Sequence, residues 1–207
     1  MRALIIVDIQ NDFLPRGALA VKDGDAIIPV VNELQKLFDL VVATQDWHPS
    51  GHGSFAGAHG KSAGDKVVLD GIEQILWPEH CVQGSKGALF PDTLETKGIT
   101  RVFQKGMDKN VDSYSGFFDN GHKKSTGLGA FLRTKGVTEV YIAGLATDYC
   151  VKFTALDAVI LGFKTFVIQD ACRGVDVMAG DVECAFGSMR EAGVSIVMSA
   201  QVIPENP

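Results

Sequence analysis

The sequence predicts an α/β fold in which a parallel sheet is flanked by helices in a three-layer α/β/α arrangement. Short apolar runs alternate along the chain with longer segments of helical periodicity. These runs lack polar alternation, which is typical of strands buried on both faces of a parallel sheet. Glycines follow several helical segments, at the point where a helix C-cap leads into the next strand. Alternation of this kind predicts right-handed crossovers between the strands.

Six apolar runs predict the strands, at residues 3–7, 40–44, 101–104, 139–143, 164–168 and 194–198. Four segments between them predict helices, at residues 26–38, 128–134, 150–161 and 181–192. Two further regions, residues 48–90 and 106–127, are rich in Gly, His and Ser and show little helical periodicity. Long loops in a compact domain are usually functional or disordered, and these two carry aromatic residues. We therefore expect them to fold as the walls of a functional site.

The 207 residues include 19 Lys and Arg against 25 Asp and Glu, a formal net charge of −6. This length predicts a single domain over residues 1–207. An acidic chain whose longest basic block is Lys123 and Lys124 argues against nucleic acid or a membrane surface as a partner. The first apolar run, residues 3–7, is too short for a signal peptide or a membrane span. We expect a cytoplasmic protein whose four cysteines stay reduced.

Polar side chains follow the predicted strands at the points where the strands end. These are Asp8, Asp46 with His48, Lys105, the segment 144–150 with Cys150, and the segment 170–172. Ligands of open parallel sheets bind beyond the carboxyl ends of the strands, which meet at one edge. The sequence therefore predicts a polar site assembled at this edge.

Asp46 and His48 predict a metal site. As alternate residues of an extended segment they project to the same side, where a carboxylate and an imidazole can share one divalent ion. His80, from a loop, is a candidate third ligand. Mixed O and N ligands suit Zn²⁺, Fe²⁺ or Mn²⁺, and the sequence does not choose among them. The alternative is a surface aspartate with two solvated or core histidines.

Cys150 is the candidate nucleophile among the four cysteines. It begins a predicted helix, which Thr147 or Asp148 can cap, and the amide groups and dipole of a helix N-terminus favour a thiolate and an oxyanion. Cys184 lies inside a predicted helix and is expected in the core. Cys81 and Cys172 remain open as core or loop residues.

A thiol that attacks an amide needs a group to move its proton to the leaving nitrogen. Asp8, at the end of a neighbouring buried strand, can perform this transfer. Lys105 can hold Asp8 in place and lower the pKa of the thiol through its positive charge. The alternative is an Asp–Lys ion pair without a catalytic role.

Five sequence blocks stand in one order along nearly the whole chain. They are Asp8-Ile-Gln-Asn-Asp-Phe13, Asp46-Trp-His-Pro49, Trp77-Pro-Glu-His-Cys-Val-Gln-Gly84, Val111-Asp-Ser-Tyr-Ser-Gly-Phe117 and Gly144-Leu-Ala-Thr-Asp-Tyr-Cys-Val151. Together, and in this order, they resemble the nicotinamidase/pyrazinamidase branch of the isochorismatase-like cysteine hydrolases. The resemblance implies a six-stranded parallel sheet flanked by helices, which agrees with the six apolar runs.

The resemblance also implies roles for individual residues. It implies a catalytic triad of Asp8, Lys105 and Cys150, and an oxyanion hole formed by the amides of Ala146 and Cys150 after a cis peptide bond that precedes Ala146. It implies one divalent metal ion on Asp46, His48 and His80, and an aromatic pocket wall of Phe13, Trp77 and Tyr114. Some members of the family take a fourth ligand from the loop that contains His52, which we leave out of the ligand set.

The activity that the resemblance implies is hydrolysis of nicotinamide, or of pyrazinamide-like analogues, to the acid and ammonia. The reaction would pass through a cysteine thioester, with the pyridine nitrogen on the metal, and would serve NAD salvage. Alternatives are another amide or carbamoyl hydrolase of the superfamily, an isochorismatase, which does not need the cysteine, or a catalytically silent ligand-binding module. The sequence allows a homo-oligomer and leaves the oligomeric state open.

Overall fold

A computed structural model describes residues 1–203 of the chain. Within them lie eight strands: β1 (Arg2–Val7), β2 (Leu40–Asp46), β3 (Lys66–Leu69), β4 (Ile72–Ile75), β5 (Arg101–Lys105), β6 (Glu139–Leu145), β7 (Lys164–Arg173) and β8 (Ser195–Val197). The same residues form four α-helices: α1 (Ile28–Gln35), α2 (Leu128–Thr134), α3 (Lys152–Ile160) and α4 (Asp181–Glu191). Six strands form one sheet in the order β5-β2-β1-β6-β7-β8, and all neighbours in it are parallel. The predicted fold class is confirmed.

The apolar run of β1 separates two hydrophobic cores. Ala3, Ile5 and Val7 face the core that residues of α2, α3 and α4 complete. Leu4 and Ile6 face the opposite core, which α1 completes. Because successive side chains of a strand point to opposite faces, an unbroken apolar run can supply both cores at once. Helices on both faces of the sheet give the three predicted layers.

Strand β7 is longer than its apolar run, which predicted an end at residue 168. The strand continues to Arg173, and its register with β6 shifts between Ile142 and Gly144. Cys172 therefore lies within a strand, opposite Gly144, and not after one. The Asp170 carboxylate accepts a hydrogen bond from the Ser199 amide at 2.8 Å. The segment 170–172 is accordingly not part of the polar site that its position predicted.

The region 48–90 contains a β-hairpin that its sequence pattern did not predict. Strands β3 and β4 pair antiparallel, with Leu69 opposite Ile72, so that Asp70 and Gly71 form a two-residue turn. Both turn residues have positive φ, 51° and 82°, as a type I′ turn requires. The remaining part of this region is ordered by bridges such as that between Phe55 and Trp77. The hairpin borders a second cavity next to Trp77 and Tyr114, which Lys66, Glu73 and Ile75 help to line.

All four cysteines are free thiols, and three of them, Cys81, Cys150 and Cys172, are buried. Cys184, which was expected in the core, is exposed. That expectation is wrong because α4 turns other residues, among them Phe186 and Met189, toward the core.

The connections of the chain place a site at the junction of β1 and β6. From β1 the chain proceeds to β2 and β5 on one side, whereas β6 leads to β7 and β8 on the other. Ligands of doubly wound sheets bind at such a reversal of strand order. Within residues 1–203, none of the helices has the length and apolar character that crossing a bilayer requires.

Candidate active site

Four buried side chains meet beyond the carboxyl ends of β1, β2, β5 and β6. Lys105 is at their centre: its Nζ lies 2.9 Å from Asp8 Oδ2, 2.6 Å from Asp46 Oδ1 and 3.4 Å from Cys150 Sγ. The Thr44 hydroxyl donates a hydrogen bond to Asp8 Oδ1 at 2.7 Å. The structure thus brings together Asp8, Lys105 and Cys150, as the sequence predicted.

Sheet register explains why these residues meet. Asp46 and Lys105 are the last residues of β2 and β5 and lie opposite each other, which places the ammonium against the carboxylate. Val7 lies opposite Gly144, so β1 and β6 deliver Asp8 and the segment before Cys150 to the same place. A Cβ atom at Gly144 would stand 2.1 Å from the Val7 carbonyl oxygen, and the residue has a φ of 131°. Only glycine permits this close approach.

The charges of the cluster are strongly coupled. Burial lowers the pKa of Lys105, but the carboxylates of Asp46 and Asp8 outweigh it and hold that pKa well above its usual value. Burial raises the pKa of Asp8 to about 6, although the Lys105 ammonium opposes the increase. For Asp46 burial acts in the same direction, yet Lys105 and His48 bring its pKa below the usual value. Asp8 is therefore the carboxylate that takes up a proton near neutral pH.

The pKa of the Cys150 thiol is set by two opposing effects. Burial raises this pKa well above its usual value, and the positive charge of Lys105 lowers it only in part. Lys105 thus acts in the predicted direction, but burial outweighs it. The thiol needs a base, and an Asp8 carboxylate oxygen lies within 4.8 Å of the sulfur.

The local structure around Cys150 differs from the predicted capped helix. Residues Thr147–Val151 form a π-helical turn that leads into α3, and no side chain caps it. The capping prediction for Thr147 and Asp148 is wrong, because the Asp148 carboxylate instead accepts the amides of Val175 and Asp176 at 3.0 and 2.8 Å. The peptide bond between Leu145 and Ala146 is cis, as the resemblance implied.

Asp46, His48 and His80 offer ligand atoms that all lie within 4.8 Å of one another. His48 Nδ1 lies 2.9 Å from the Gly106 carbonyl, and His80 Nδ1 lies 2.7 Å from the Pro78 carbonyl. A carbonyl can only accept, so each Nδ1 carries the proton and each Nε2 keeps a lone pair. Within residues 1–203, His48 Nε2 is buried without a hydrogen-bond partner. This donor set fits a divalent ion, because metal-binding histidines typically donate their other ring N–H to a carbonyl or carboxylate.

His52 is buried near this set but both of its ring nitrogens are engaged. Nδ1 lies 2.7 Å from the Ser54 hydroxyl, and Nε2 lies 2.8 Å from the Asp108 carbonyl. Its ring contacts that of His48, with 4.4 Å between the centroids. The geometry therefore agrees with leaving His52 out of the ligand set.

An aromatic pocket opens above Cys150. Its lining contains the three predicted wall residues, Phe13, Trp77 and Tyr114, together with Asp46, His80, Ala146 and Cys150. Four further lining residues were not predicted from the sequence: Leu19, Asp112, Tyr149 and Val175. Asp112 and Tyr149 belong to the motif blocks and could have been proposed from them, whereas Leu19 and Val175 lie outside every block. Tyr149 packs edge-on against Trp77, with 4.9 Å between ring centroids.

Comparisons with known proteins match nearly the whole chain. The isochorismatase domain family matches residues 2–202. A nicotinamidase from Escherichia coli is 50% identical over 199 residues, which cover 94% of this chain and 93% of that protein. A nicotinamidase/pyrazinamidase structure from Acinetobacter baumanii superposes with a TM-score of 0.94 at 46% identity, covering 98% of each chain. A Pyrococcus horikoshii pyrazinamidase solved with zinc has a TM-score of 0.78 at 40% identity, covering 95% of this chain and 98% of that one.

The family match spans nearly the whole chain and all strands of the central sheet. It also includes the cluster around Lys105, the donor set of Asp46, His48 and His80, and the aromatic pocket. The chain belongs to the isochorismatase domain family.

Proposed function

We propose that the chain is a nicotinamidase, which hydrolyses nicotinamide to nicotinate and ammonia through a thioester on Cys150. One observation carries the proposal: the Cys150 thiol lines an aromatic pocket together with Asp46 and His80, two members of the donor set. The Lys105 ammonium lies 3.4 Å from the sulfur and 2.9 Å from the buried Asp8 carboxylate behind the pocket. The similarity to nicotinamidases from bacteria supports the substrate.

In the first half of the reaction, Asp8 accepts the proton of the Cys150 thiol and the sulfur attacks the carbonyl carbon of the carboxamide. The amides of Ala146 and Cys150 receive the oxyanion that forms. Asp8 then passes its proton to the leaving nitrogen, so that ammonia departs and the thioester remains.

In the second half, Asp8 takes a proton from water, and the hydroxide attacks the thioester carbonyl. The C–S bond breaks, the sulfur recovers a proton from Asp8 and nicotinate is released. Throughout, the Lys105 ammonium balances the negative charge that moves between Asp8 and the sulfur, because its Nζ contacts both groups.

The pocket orients the ring of the substrate. Phe13, Trp77 and Tyr114 would contact a flat heteroaromatic ring, which places its carboxamide at the sulfur. Asp46, His48 and His80 would hold one divalent ion, Zn²⁺, Fe²⁺ or Mn²⁺, which when bound supplies a Lewis acid for the ring nitrogen. The zinc of the Pyrococcus pyrazinamidase supports a divalent ion. Pyrazinamide, which has the same carboxamide and ring-nitrogen geometry, would be a further substrate.

Ammonia release from nicotinamide by the wild-type protein and by the Cys150→Ala variant tests the proposal. We expect turnover by the wild type, with equal amounts of ammonia and nicotinate, and its loss in the variant. Cys184→Ala serves as the matched control, because Cys184 is an exposed free thiol. Wild-type turnover by Cys150→Ala, or no ammonia from the metal-loaded wild type, would contradict the proposal.

A further inference from the structure

Gln74 is the one buried side chain among the eight residues of strands β3 and β4. Its exposed fraction is 2%, whereas every other residue of the two strands is exposed or half-buried. A polar residue gains nothing from burial unless its hydrogen bonds are satisfied. Gln74 is therefore buried for its polar contacts and not for packing.

Those contacts lead to the wall of the active-site pocket. The Gln74 Nε2 group lies 2.9 Å from the Tyr114 hydroxyl oxygen and 3.3 Å from Asp112 Oδ2. The same group lies 2.6 Å from the Ile75 carbonyl, so its two hydrogens serve three acceptors. At the other end of the amide, Asn120 Nδ2 donates to Gln74 Oε1 at 3.4 Å. The amide thus ties the hairpin to the segment that carries Asp112 and Tyr114.

The Tyr114 hydroxyl accepts a second hydrogen bond. Trp77 Nε1 donates to the same oxygen at 3.1 Å. The Tyr114 oxygen thus accepts from both Gln74 and Trp77. Tyr114 and Trp77 both line the pocket. The Tyr114 hydroxyl therefore connects these two aromatic side chains to each other and, through Gln74, to the hairpin.

We propose that Gln74 is a positioning residue. Through the Tyr114 hydroxyl it fixes where the Tyr114 and Trp77 rings stand, and so the width of the space that a substrate ring can enter. This inference rests on the proposed function, because it assigns to Gln74 the selection of a flat heteroaromatic ring. Gln74 does not line the pocket, and its effect is transmitted by Tyr114.

Steady-state kinetics of Gln74→Met, a variant of similar volume, test the assignment. We expect the KM for nicotinamide to rise about tenfold, the range of one lost hydrogen bond, while kcat changes by no more than about threefold. The reason is that the walls contact the ring and not the reacting carboxamide, so substrate and transition state lose the same contacts. Gln35→Met, which alters a buried glutamine on α1, should leave both constants unchanged.

A double-mutant comparison separates positioning from general structural damage. If Gln74 acts through the Tyr114 hydroxyl, Tyr114→Phe raises KM by itself, and adding Gln74→Met then changes KM by less than about twofold. A further increase of KM by the full single-mutant factor in the Tyr114→Phe background overturns the proposal. So does an unchanged KM in Gln74→Met.

Fluorescence provides a readout that requires no turnover. Trp47→Phe leaves Trp77 as the only tryptophan, since the chain has 2. Adding Gln74→Met should shift the Trp77 emission to longer wavelength as water reaches the loosened wall, whereas adding Gln35→Met should not. This shift is expected even if nicotinamide proves not to be the substrate, and an unchanged emission overturns the proposal. Should Gln74→Met fail to fold, Gln74→Asn, which stays neutral but shortens the reach of the amide to the Tyr114 hydroxyl, takes its place in all three comparisons.

Discussion

The Lys105 ammonium lies 2.9 Å from the Asp8 carboxylate, and both side chains are fully buried. A second buried carboxylate, that of Asp46, contacts the same ammonium at 2.6 Å. Removing two charges from water is costly, and removing one partner of such a group leaves a charge with no compensation. Lys105 therefore has a structural role beside the role proposed for it in catalysis.

Lys105→Met should destabilise the protein by about 3–5 kcal/mol, because two carboxylates lose their buried counter-charge. Chemical denaturation of metal-free samples at neutral pH measures this change. Lys36→Met is the matched control, since Lys36 follows the last residue of α1 and pairs with Glu33 at 2.7 Å on the exposed surface. A Lys105→Met variant as stable as the control would contradict the account of the buried cluster.

The activity should depend on the protonation of Asp8. Burial raises the pKa of Asp8 to about 6, so the carboxylate that accepts the thiol proton predominates only above this pH. We expect kcat/KM for nicotinamide to rise with pH through about 6 and to level off above it. Asp8→Asn should remove nearly all activity and the rise itself. A wild-type profile that stays flat well below pH 6 would argue against Asp8 as the base.

Metal content should distinguish His48 from His52. His48→Ala removes a buried Nε2 that has no hydrogen-bond partner among the described residues, so we expect this variant to lose the bound ion. His52→Gln should retain it, because both ring nitrogens of His52 bond within the protein. Elemental analysis after dialysis measures both, and chelation of the wild type should abolish turnover until Zn²⁺, Fe²⁺ or Mn²⁺ is restored. Equal metal content in the two variants, or full activity of metal-free protein, would contradict the proposal that Asp46, His48 and His80 bind the ion.

Two glycines should respond to alanine in opposite ways. Gly144→Ala places a Cβ atom 2.1 Å from the Val7 carbonyl oxygen, so the junction of β1 and β6 must open and both stability and activity should fall. Gly187 lies within α4, where an added Cβ atom would meet no described atom within 4 Å beyond the backbone of its own helix. Gly187→Ala should therefore stabilise the protein by about 0.8–1 kcal/mol. Thermal unfolding of the two variants checks the pair. Equal melting temperatures would show that the close approach at Gly144 is unimportant.

The sequence predicted the parts of the site that sheet geometry controls. Asp8, Asp46 and Lys105 lie just beyond the predicted strands, and parallel register carries them to one edge. The hairpin of β3 and β4 was missed, although Asp70 and Gly71 between short apolar stretches are a recognised turn signal. The two strands are too short and too exposed to show a clear alternation.

Features that depend on contacts between distant parts of the chain could not be predicted from local sequence patterns. Aspartate is a good helix-capping residue, but the Asp148 carboxylate instead accepts hydrogen bonds from the amides of Val175 and Asp176, which lie in another loop. The extension of β7 contains polar residues and follows a register shift against β6, and no hydrophobic periodicity in the sequence indicates either feature. The pKa of Cys150 likewise depends on its complete burial, which outweighs the nearby charge of Lys105.

The central claim is that Cys150 becomes acylated during turnover, and acid quenching followed by peptide mass analysis tests it most directly. Wild-type protein quenched while it hydrolyses nicotinamide should carry one nicotinoyl group on the peptide that contains Cys150. Cys150→Ala should carry none and release no ammonia. An acyl group found on Cys81, Cys172 or Cys184 instead, or steady ammonia release by Cys150→Ala, would contradict the account.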